Sequence, residues 1–291
     1  MEKPSGEWAP SRQGATHPAL LGACEARYDL VQRYYRLKGR LLGLERLFDY
    51  DRYAPIAAVE GRRSWDSARR VVLEAYSDFA PDMAGIAERF FERRWIDAEL
   101  RPGKRGGAFS ASTVPAAHPY VLLNYTGNLR DVMTLAHELG HGVHQYLARA
   151  RGLFQQDTPL TTAETASVVG EMLVFRRLLR EERDPAVRLG LLCGKLEDAF
   201  AHFVHSPFYC YAYAFGELLV LALVRRYDEE GPAFAPRYLE MLAAGGSESP
   251  REVVARTGLD IADPGFWARV LSLLEDLLAQ AEQAAAALAP F

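Results

Sequence analysis

The sequence predicts a mainly α-helical domain that carries one small β element. Apolar residues recur at intervals of three and four along most of the 291-residue chain, which is the spacing of amphipathic helices. The pattern is interrupted by a Gly-rich stretch at 102–111 and a short apolar run at 118–127 that ends in Gly. Short runs of this kind between turn residues indicate strands. We therefore expect helices on both sides of a small hairpin or pair of strands.

Breaks and caps set the expected bounds of the helices. The first twenty residues are rich in Pro, Gly and Ser, so we expect residues 1–20 to form a loose arm and residues 21–291 a single domain. A long amphipathic helix is predicted over 23–47, and Pro55 follows the break after it. The other helices are predicted at 64–76, 81–93, 129–149, 161–182, 185–204, 208–228, 233–243 and 264–288, with a short one opened by Pro250.

Composition and charge exclude several classes of protein. The net charge is −4, so nothing favours binding to nucleic acid. We find no apolar run of membrane-spanning length, and the N-terminal "MEKPSGEWAPSRQG" has no apolar core of a signal peptide. Cys24, Cys193 and Cys210 lack metal-binding spacing, and an odd number of cysteines argues against a disulfide framework. We therefore expect a cytoplasmic protein that binds neither nucleic acid nor membrane.

The stretch "TLAHELGHGVHQ", residues 134–145, lies inside a predicted helix that Asn128 would cap, with Asp131 three positions further on as in a capping box. His137 and His141 are four residues apart and so share one helix face, where two imidazoles can bind one tetrahedral Zn²⁺. Glu138 is rotated by about 100° around the axis and can take a proton from a water molecule beside the metal. We favour this zinc site over a solvated polar face because the helix is long, capped and amphipathic.

A zinc hydrolase needs a third protein ligand and an open fourth position, and the following helix offers two glutamates. Glu164 and Glu171, within "TTAETASVVGEMLVF" (161–175), are seven residues apart and share one face. We predict Glu164 as the third ligand and Glu171 as a residue that orients an imidazole. Their small and apolar neighbours are typical of a buried helix rather than of a solvated one. His144 is one turn further along the zinc face, and we expect it to be packed or hydrogen-bonded rather than a ligand.

Five segments, taken in order, resemble one known family. They are "GKRGGAFSAS", "HPYVLLNYTGNLRDVMTLAHELGHGVHQYLA", "AETASVVGEMLVFRRLL", "HSPFYCYAYAFGELL" and "AAGGSESP", and they resemble the oligoendopeptidase F branch of the M3 zinc peptidases. The resemblance implies a zincin-like, multi-helix fold around a deep channel, a cytoplasmic location, one Zn²⁺ per chain and cleavage of short peptides. By position, it implies His137, His141 and Glu164 as zinc ligands and Glu138 as the general base.

The segment "HFVHSPFYCYAYAFGE", residues 202–217, is dense in Tyr and His. By itself, an aromatic stripe at helical spacing is typical of a core helix. The resemblance implies instead that this stretch faces the zinc. Tyr209 and Tyr213, which are four residues apart, together with His202 or His205, would then donate hydrogen bonds to the oxyanion formed during peptide hydrolysis.

Two departures from the family pattern leave other functions open. The resemblance implies relatives about twice as long, and the segment between "GKLEDAFA" and "HFVHSPFY" is expected to be shorter than in the family. A shortened chain could be a zinc- and peptide-binding module with weak activity or none, and the same chemistry could hydrolyse a non-peptide amide. Our prediction is a zinc metalloendopeptidase of short peptides. The strand around "YVLLNYTG" is either an edge strand that pairs with an extended peptide or part of a small structural hairpin.

Overall fold

The computed structural model describes residues 16–56, 62–201, 209–263 and 265–288, and within them the chain is mainly helical, as predicted. The helices are α1 (Thr16–Glu25), α2 (Tyr28–Leu41), α3 (Trp65–Phe79), α4 (Pro81–Glu92), α5 (Leu129–Ala148), α6 (Leu160–Glu181), α7 (Pro185–Ala201), α8 (Tyr209–Glu230), α9 (Ala235–Ala243), α10 (Pro250–Ala255) and α11 (Phe266–Ala287). The strands are β1 (Ile96–Asp97), β2 (Phe109–Ala111) and β3 (Tyr120–Leu122). Among the described helices, we find none that is both long and apolar enough to cross a membrane.

The N-terminal helices differ from the prediction. The single helix expected over 23–47 is replaced by α1 and α2, and α1 already begins at Thr16, so residues 16–20 are helical. The end of α2 is set by Gly43, whose φ of 66° is a left-handed conformation. The Gly43 N–H donates to the carbonyl of Arg40 and the Leu44 N–H to that of Gly39, which is the Schellman pattern of a helix end. The apolar periodicity continues past this glycine, which is why periodicity alone predicts too long a helix.

Helices α5 and α6 lie in the middle of the core and touch through their backbones. A Cβ atom added to Gly140 of α5 would lie 2.3 Å from the carbonyl oxygen of Ala166 in α6. A Cβ added to Gly170 of α6 would lie 2.7 Å from the carbonyl oxygen of Ala136 in α5. The buried Tyr76 hydroxyl of α3 donates to that same Ala136 carbonyl at 2.6 Å. The two glycines therefore set the separation of the helices that carry the predicted metal ligands.

The sheet has the order β1-β3-β2, with β1 parallel and β2 antiparallel to β3. The predicted hairpin is thus β2 and β3, and β1 is an additional strand. The N–H groups of Val121 and Leu123 donate to the carbonyls of Trp95 and Asp97, so the alternating β3 residues Tyr120 and Leu122 face β2. Because β2 residues Phe109 and Ala111 are opposite these residues, the N–H and C=O of Ser110 point away from the sheet. The strand around "YVLLNYTG", predicted as an edge that could pair with a peptide, is β3, and it is paired on both sides by β1 and β2, so that prediction is wrong. Strand β2 is instead an edge strand that presents one backbone unit outward.

Lys104 holds this sheet to the loops around it. Its ammonium group lies 2.7–3.0 Å from four acceptors: the carbonyl oxygens of Asp97, Glu99 and Leu123 and the Asp97 carboxylate. The side chain is 3% exposed. A buried acceptor that loses its donor costs about 1–3 kcal/mol, so we expect Lys104→Met to lower the free energy of unfolding by about 2–4 kcal/mol, measured by urea denaturation.

The matched control is Arg101→Met. Arg101 donates to both oxygens of the same Asp97 carboxylate but is mostly exposed, and exposed ion pairs contribute little to stability. We expect a much smaller loss for Arg101→Met than for Lys104→Met. Equal losses for the two variants would mean that the Asp97 ion pair, and not the set of carbonyl contacts, makes Lys104 important.

Candidate metal centre

The local sequence explains why α5 begins where it does. The Asn128 side chain accepts a hydrogen bond from the Asp131 N–H at 2.8 Å, and Asp131 accepts from the N–H groups of Thr126, Gly127 and Asn128. This is the capping box predicted from the sequence. It fixes the start of the helix and brings His137 and His141 onto one face, with ring centroids 4.8 Å apart.

Glu164 of α6 completes the cluster with the two histidines. Its Oε2 atom lies 3.4 Å from Nε2 of His137 and 3.4 Å from Nε2 of His141, and one ligand atom from each residue can be chosen so that all lie within 4.8 Å of one another. Tetrahedral ligands at the usual zinc distances of about 2.0–2.1 Å are separated by roughly 3.3 Å. The described residues therefore include a group of two imidazoles and a carboxylate whose spacing fits a metal ion.

Two further contacts hold the donor atoms in place. Glu171 is hydrogen-bonded to Nδ1 of His137, so the proton lies on Nδ1 in the neutral ring and Nε2 offers its lone pair to the cluster. The Ser167 hydroxyl donates to Glu164 Oε2 at 2.9 Å. Glu171 lies where the sequence predicted an orienting residue, two helical turns beyond Glu164. Both carboxylates come from α6, and both imidazoles come from α5.

Glu138 is positioned beside the cluster and not in it. Its side chain is 5% exposed, and Oε2 is buried without a hydrogen-bond partner in the described part of the chain. Burial raises its pKa above the usual value, against the opposing effect of His137 and His141. A carboxylate with a raised pKa binds a proton more readily, which suits a general base.

Burial and neighbouring charges shift the pKa values of the other groups of the site, some upward and some downward. Burial disfavours a charge on His137, but the hydrogen bond that it donates to Glu171 and the nearby carboxylates outweigh this effect and raise its pKa to about 9. Burial also opposes the ionisation of Glu164, but His141, His137 and Ser167 lower its pKa to about 2. His144 is buried, as predicted for a packed residue, and burial together with His141 lowers its pKa to about 3. Glu164 is thus ionised at neutral pH, as a metal ligand must be.

The cluster opens into a cleft of about 400 Å³. Its lining includes His137, Glu138, His141, Glu164, Ser110 and Gln145. The outward-facing backbone of β2 and the candidate metal ligands therefore border the same space. An extended chain lying along β2 would pass beside Glu138.

The predicted oxyanion donors lie in and just before α8. His202 and His205 lie outside the described residues, and Tyr209 and Tyr213 are described only as part of the backbone of α8. This helix does approach the cluster, because a Cβ added to Gly216 would lie 3.0 Å from Cβ of Glu164. The roles of the two tyrosines and two histidines stay predictions.

Two features of the site were missed from the sequence. Lys195 of α7 and Glu217 of α8 form an ion pair at 2.8 Å with both side chains buried, and it joins the helices on either side of residues 202–208. No local pattern indicates such a pair. Gln145 faces Ser110 across the cleft. Its spacing of four from His141 could have placed it on the metal face, but nothing in the sequence indicates what it contacts.

The sequence matches one family model and curated relatives that are peptidases. The sequence model of peptidase family M3 matches residues 74–189 and 183–273. An oligoendopeptidase F homolog of Lactococcus lactis subsp. lactis is 25% identical over 328 residues, covering 92% of this chain and 54% of the relative. Oligopeptidase PepF of Bacillus subtilis is 25% identical over 315 residues, covering 87% of this chain and 47% of the relative. The chain thus spans about half the length of the curated relatives it matches. Both alignments are longer than the 291-residue chain, so these relatives carry residues that it lacks.

Solved structures share the fold. A candidate peptidase from Chlamydophila abortus superposes with a TM-score of 0.82 at 24% identity, covering 93% of this chain and 56% of that one. PZ peptidase A with an inhibitor superposes with a TM-score of 0.72 at 17% identity, covering 90% of this chain and 58% of that one. Oligoendopeptidase F from Enterococcus faecium superposes with a TM-score of 0.63 at 21% identity, covering 93% of this chain and 52% of that one. At these identities the likeness supports the mainly helical architecture and no more.

Proposed function

The chain belongs to peptidase family M3, and from this membership we propose that it is a zinc metalloendopeptidase that hydrolyses short peptides. The observation that carries the proposal is the position of Glu164 Oε2, 3.4 Å from Nε2 of both His137 and His141, with Glu138 beside them. Two imidazoles, one carboxylate and an adjacent glutamate are the ligand set and base of a zinc hydrolase.

His137, His141 and Glu164 would hold one zinc ion per chain. When bound, the ion polarises a peptide carbonyl and lowers the pKa of a water molecule. The residues fit this role because two of the three ligands are already oriented by a neighbour, His137 by Glu171 and Glu164 by Ser167. The cleft in front of them leaves room for water and substrate.

Glu138 would carry out the proton transfers. Its carboxylate accepts a proton from the attacking water and later delivers it to the nitrogen of the leaving amine. The carbonyl oxygen becomes negatively charged during the attack, and hydrogen-bond donors there stabilise the transition state. We assign this role to Tyr209 and Tyr213, with His202 or His205, on the strength of the family resemblance and of the approach of α8 to Glu164.

The substrate would bind as an extended chain along β2. The outward N–H and C=O of Ser110 can each form a hydrogen bond with a peptide backbone, and pairing of this kind is tolerant of side-chain sequence. A narrow cleft between β2 and α5 favours short peptides over folded proteins. The cytoplasmic location expected from the sequence belongs to the same proposal.

One alternative is supported by a specific observation. Because the chain spans about half the length of its relatives, it could bind zinc and peptides and yet turn over none. A quenched-fluorescence peptide library separates the two functions. Turnover that requires zinc supports the peptidase, whereas tight zinc binding with no cleavage of any peptide supports the binding module.

The first test concerns the metal itself. We expect the purified protein to carry close to one zinc per chain, measured by elemental mass spectrometry, and a chelator to lower its melting temperature, because an ion that binds the folded state stabilises it. The double variant His137→Ala, His141→Ala should lose the metal. Retention of the full zinc content by this variant would show that the site is elsewhere.

A further inference from the structure

Gln145 connects the candidate metal helix to the edge strand. It lies one turn beyond His141, so His137, His141 and Gln145 form one stripe along α5 with steps of about 6 Å. The Ser110 hydroxyl donates to Gln145 Oε1 at 2.7 Å, and Gln145 Nε2 donates to the Ser110 carbonyl at 3.4 Å. The two bonds together fix the orientation of the amide.

Gln145 contacts Ser110, the residue whose backbone would pair with a peptide. Ser110 is the β2 residue whose N–H and C=O point away from β3. The longer of the two bonds, from Gln145 Nε2, occupies at most one of the two lone pairs of the Ser110 carbonyl. The stronger bond is made by the side-chain hydroxyl. Gln145 can therefore hold Ser110 in place while its backbone stays available to a substrate.

We propose that Gln145 is a positioning residue that sets which peptide bond of the substrate lies over Glu138. This inference rests on the proposed peptidase function. A peptide paired with Ser110 has its register fixed relative to β2, and Gln145 fixes β2 relative to His137 and His141 because all three side chains project from one rigid helix. Without Gln145, the two side-chain hydrogen bonds between this stripe of α5 and β2 would be lost, and the edge strand could shift along the cleft.

The test is a cleavage map of one unstructured peptide, read by mass spectrometry. We expect the wild-type protein to cut it at one or a few bonds, and Gln145→Ala to cut with a spread over neighbouring bonds. A misplacement of about 1 Å can cost up to roughly 100-fold in rate, so kcat/KM should fall by roughly 10–100-fold, mainly through kcat. Zinc content and melting temperature should stay close to the wild-type values.

Companion variants separate positioning from a general effect on the fold. Ser110→Ala keeps the backbone and removes the anchored hydroxyl, so it should reproduce the spread of cut sites. Gln145→Glu keeps an acceptor for that hydroxyl and should restore most of the wild-type map. Gln280→Ala, an exposed glutamine on α11, is the matched control and should change nothing.

The outcomes are distinct. An unchanged cleavage map and unchanged kinetics in Gln145→Ala would overturn the inference and leave the peptidase function intact. The same result in Ser110→Ala would overturn it independently, even if Gln145→Ala failed to fold. A zinc-loaded wild-type protein that cuts no peptide would overturn the proposed function and this inference with it.

Discussion

Replacing Glu138 with glutamine is expected to reduce peptide turnover by roughly 10²–10⁴-fold, the usual contribution of a general base, while the zinc content stays unchanged. Glutamine keeps the size of the side chain and cannot accept the proton. The melting temperature should stay the same or rise, because burial raises the pKa of Glu138 and a neutral amide avoids the desolvation cost of a buried carboxylate. Single-turnover kinetics, elemental analysis and a thermal scan measure the three quantities.

Glu164→Ala is the contrasting variant. It removes a proposed ligand and leaves the Ser167 hydroxyl with the backbone carbonyl of residue 164 as its acceptor. The affinity for zinc should therefore fall, and activity should partly return with excess metal. The two variants thus separate a base from a ligand. Loss of zinc from Glu138→Gln with retention by Glu164→Ala would show that the two roles are reversed. If both retain zinc, Glu171 becomes the next candidate for the third ligand.

Gly140→Ala is expected to damage the site without touching any ligand. The added Cβ would lie 2.3 Å from the carbonyl oxygen of Ala166 and 2.7 Å from Cα of Ser167, and neither backbone atom can rotate away. Helix α6 would have to move by roughly 1 Å, and Glu164 would move with it. Overpacking of this kind costs about 1–3 kcal/mol, and metal sites tolerate errors of only about 0.2 Å in ligand distance. We expect lower stability in urea and a marked fall in zinc affinity.

Gly194→Ala provides the control for this substitution. Gly194 lies in α7, is exposed, and has no heavy atom within 4 Å of an added Cβ. Alanine in a helix interior is favoured over glycine by roughly 0.5–1 kcal/mol, so this variant should be more stable than the wild type. A Gly140→Ala protein that resembles Gly194→Ala in stability and binds zinc normally would contradict the close contact of α5 and α6.

The features that the sequence predicted well depend on local spacing. The capping box at Asn128 and Asp131 lies within four residues, and the shared face of His137 and His141 follows from the helical repeat. The choice of Glu164 is different, because it required a contact between two helices. It was reached from the need for a third ligand, from the small and apolar neighbours of Glu164 and from the family resemblance. Its Oε2 atom lies 3.4 Å from Nε2 of both imidazoles, and its role as a ligand stays a prediction.

The features that were missed depend on contacts between distant residues. Lys104 meets a carbonyl nineteen residues away, and Lys195 meets Glu217 on another helix. A charged side chain in a sequence gives no sign of whether it will be buried with such a partner. The end of α2 at Gly43 is an intermediate case. A glycine can signal a helix end, but the apolar spacing on both sides of it indicated continuation.

The single outward backbone unit of β2 limits what kind of chain the cleft can accept. Two backbone hydrogen bonds contribute a net of about 0.5–1.5 kcal/mol each, which is too little to extract a strand from a sheet or to unwind a stable helix. A chain that adds to Ser110 must therefore arrive with its own N–H and C=O already free. Such an edge selects polypeptides by their lack of folded structure and ignores most of their sequence. Under the proposed function, such an edge would spare intact folded proteins without a separate inhibitor.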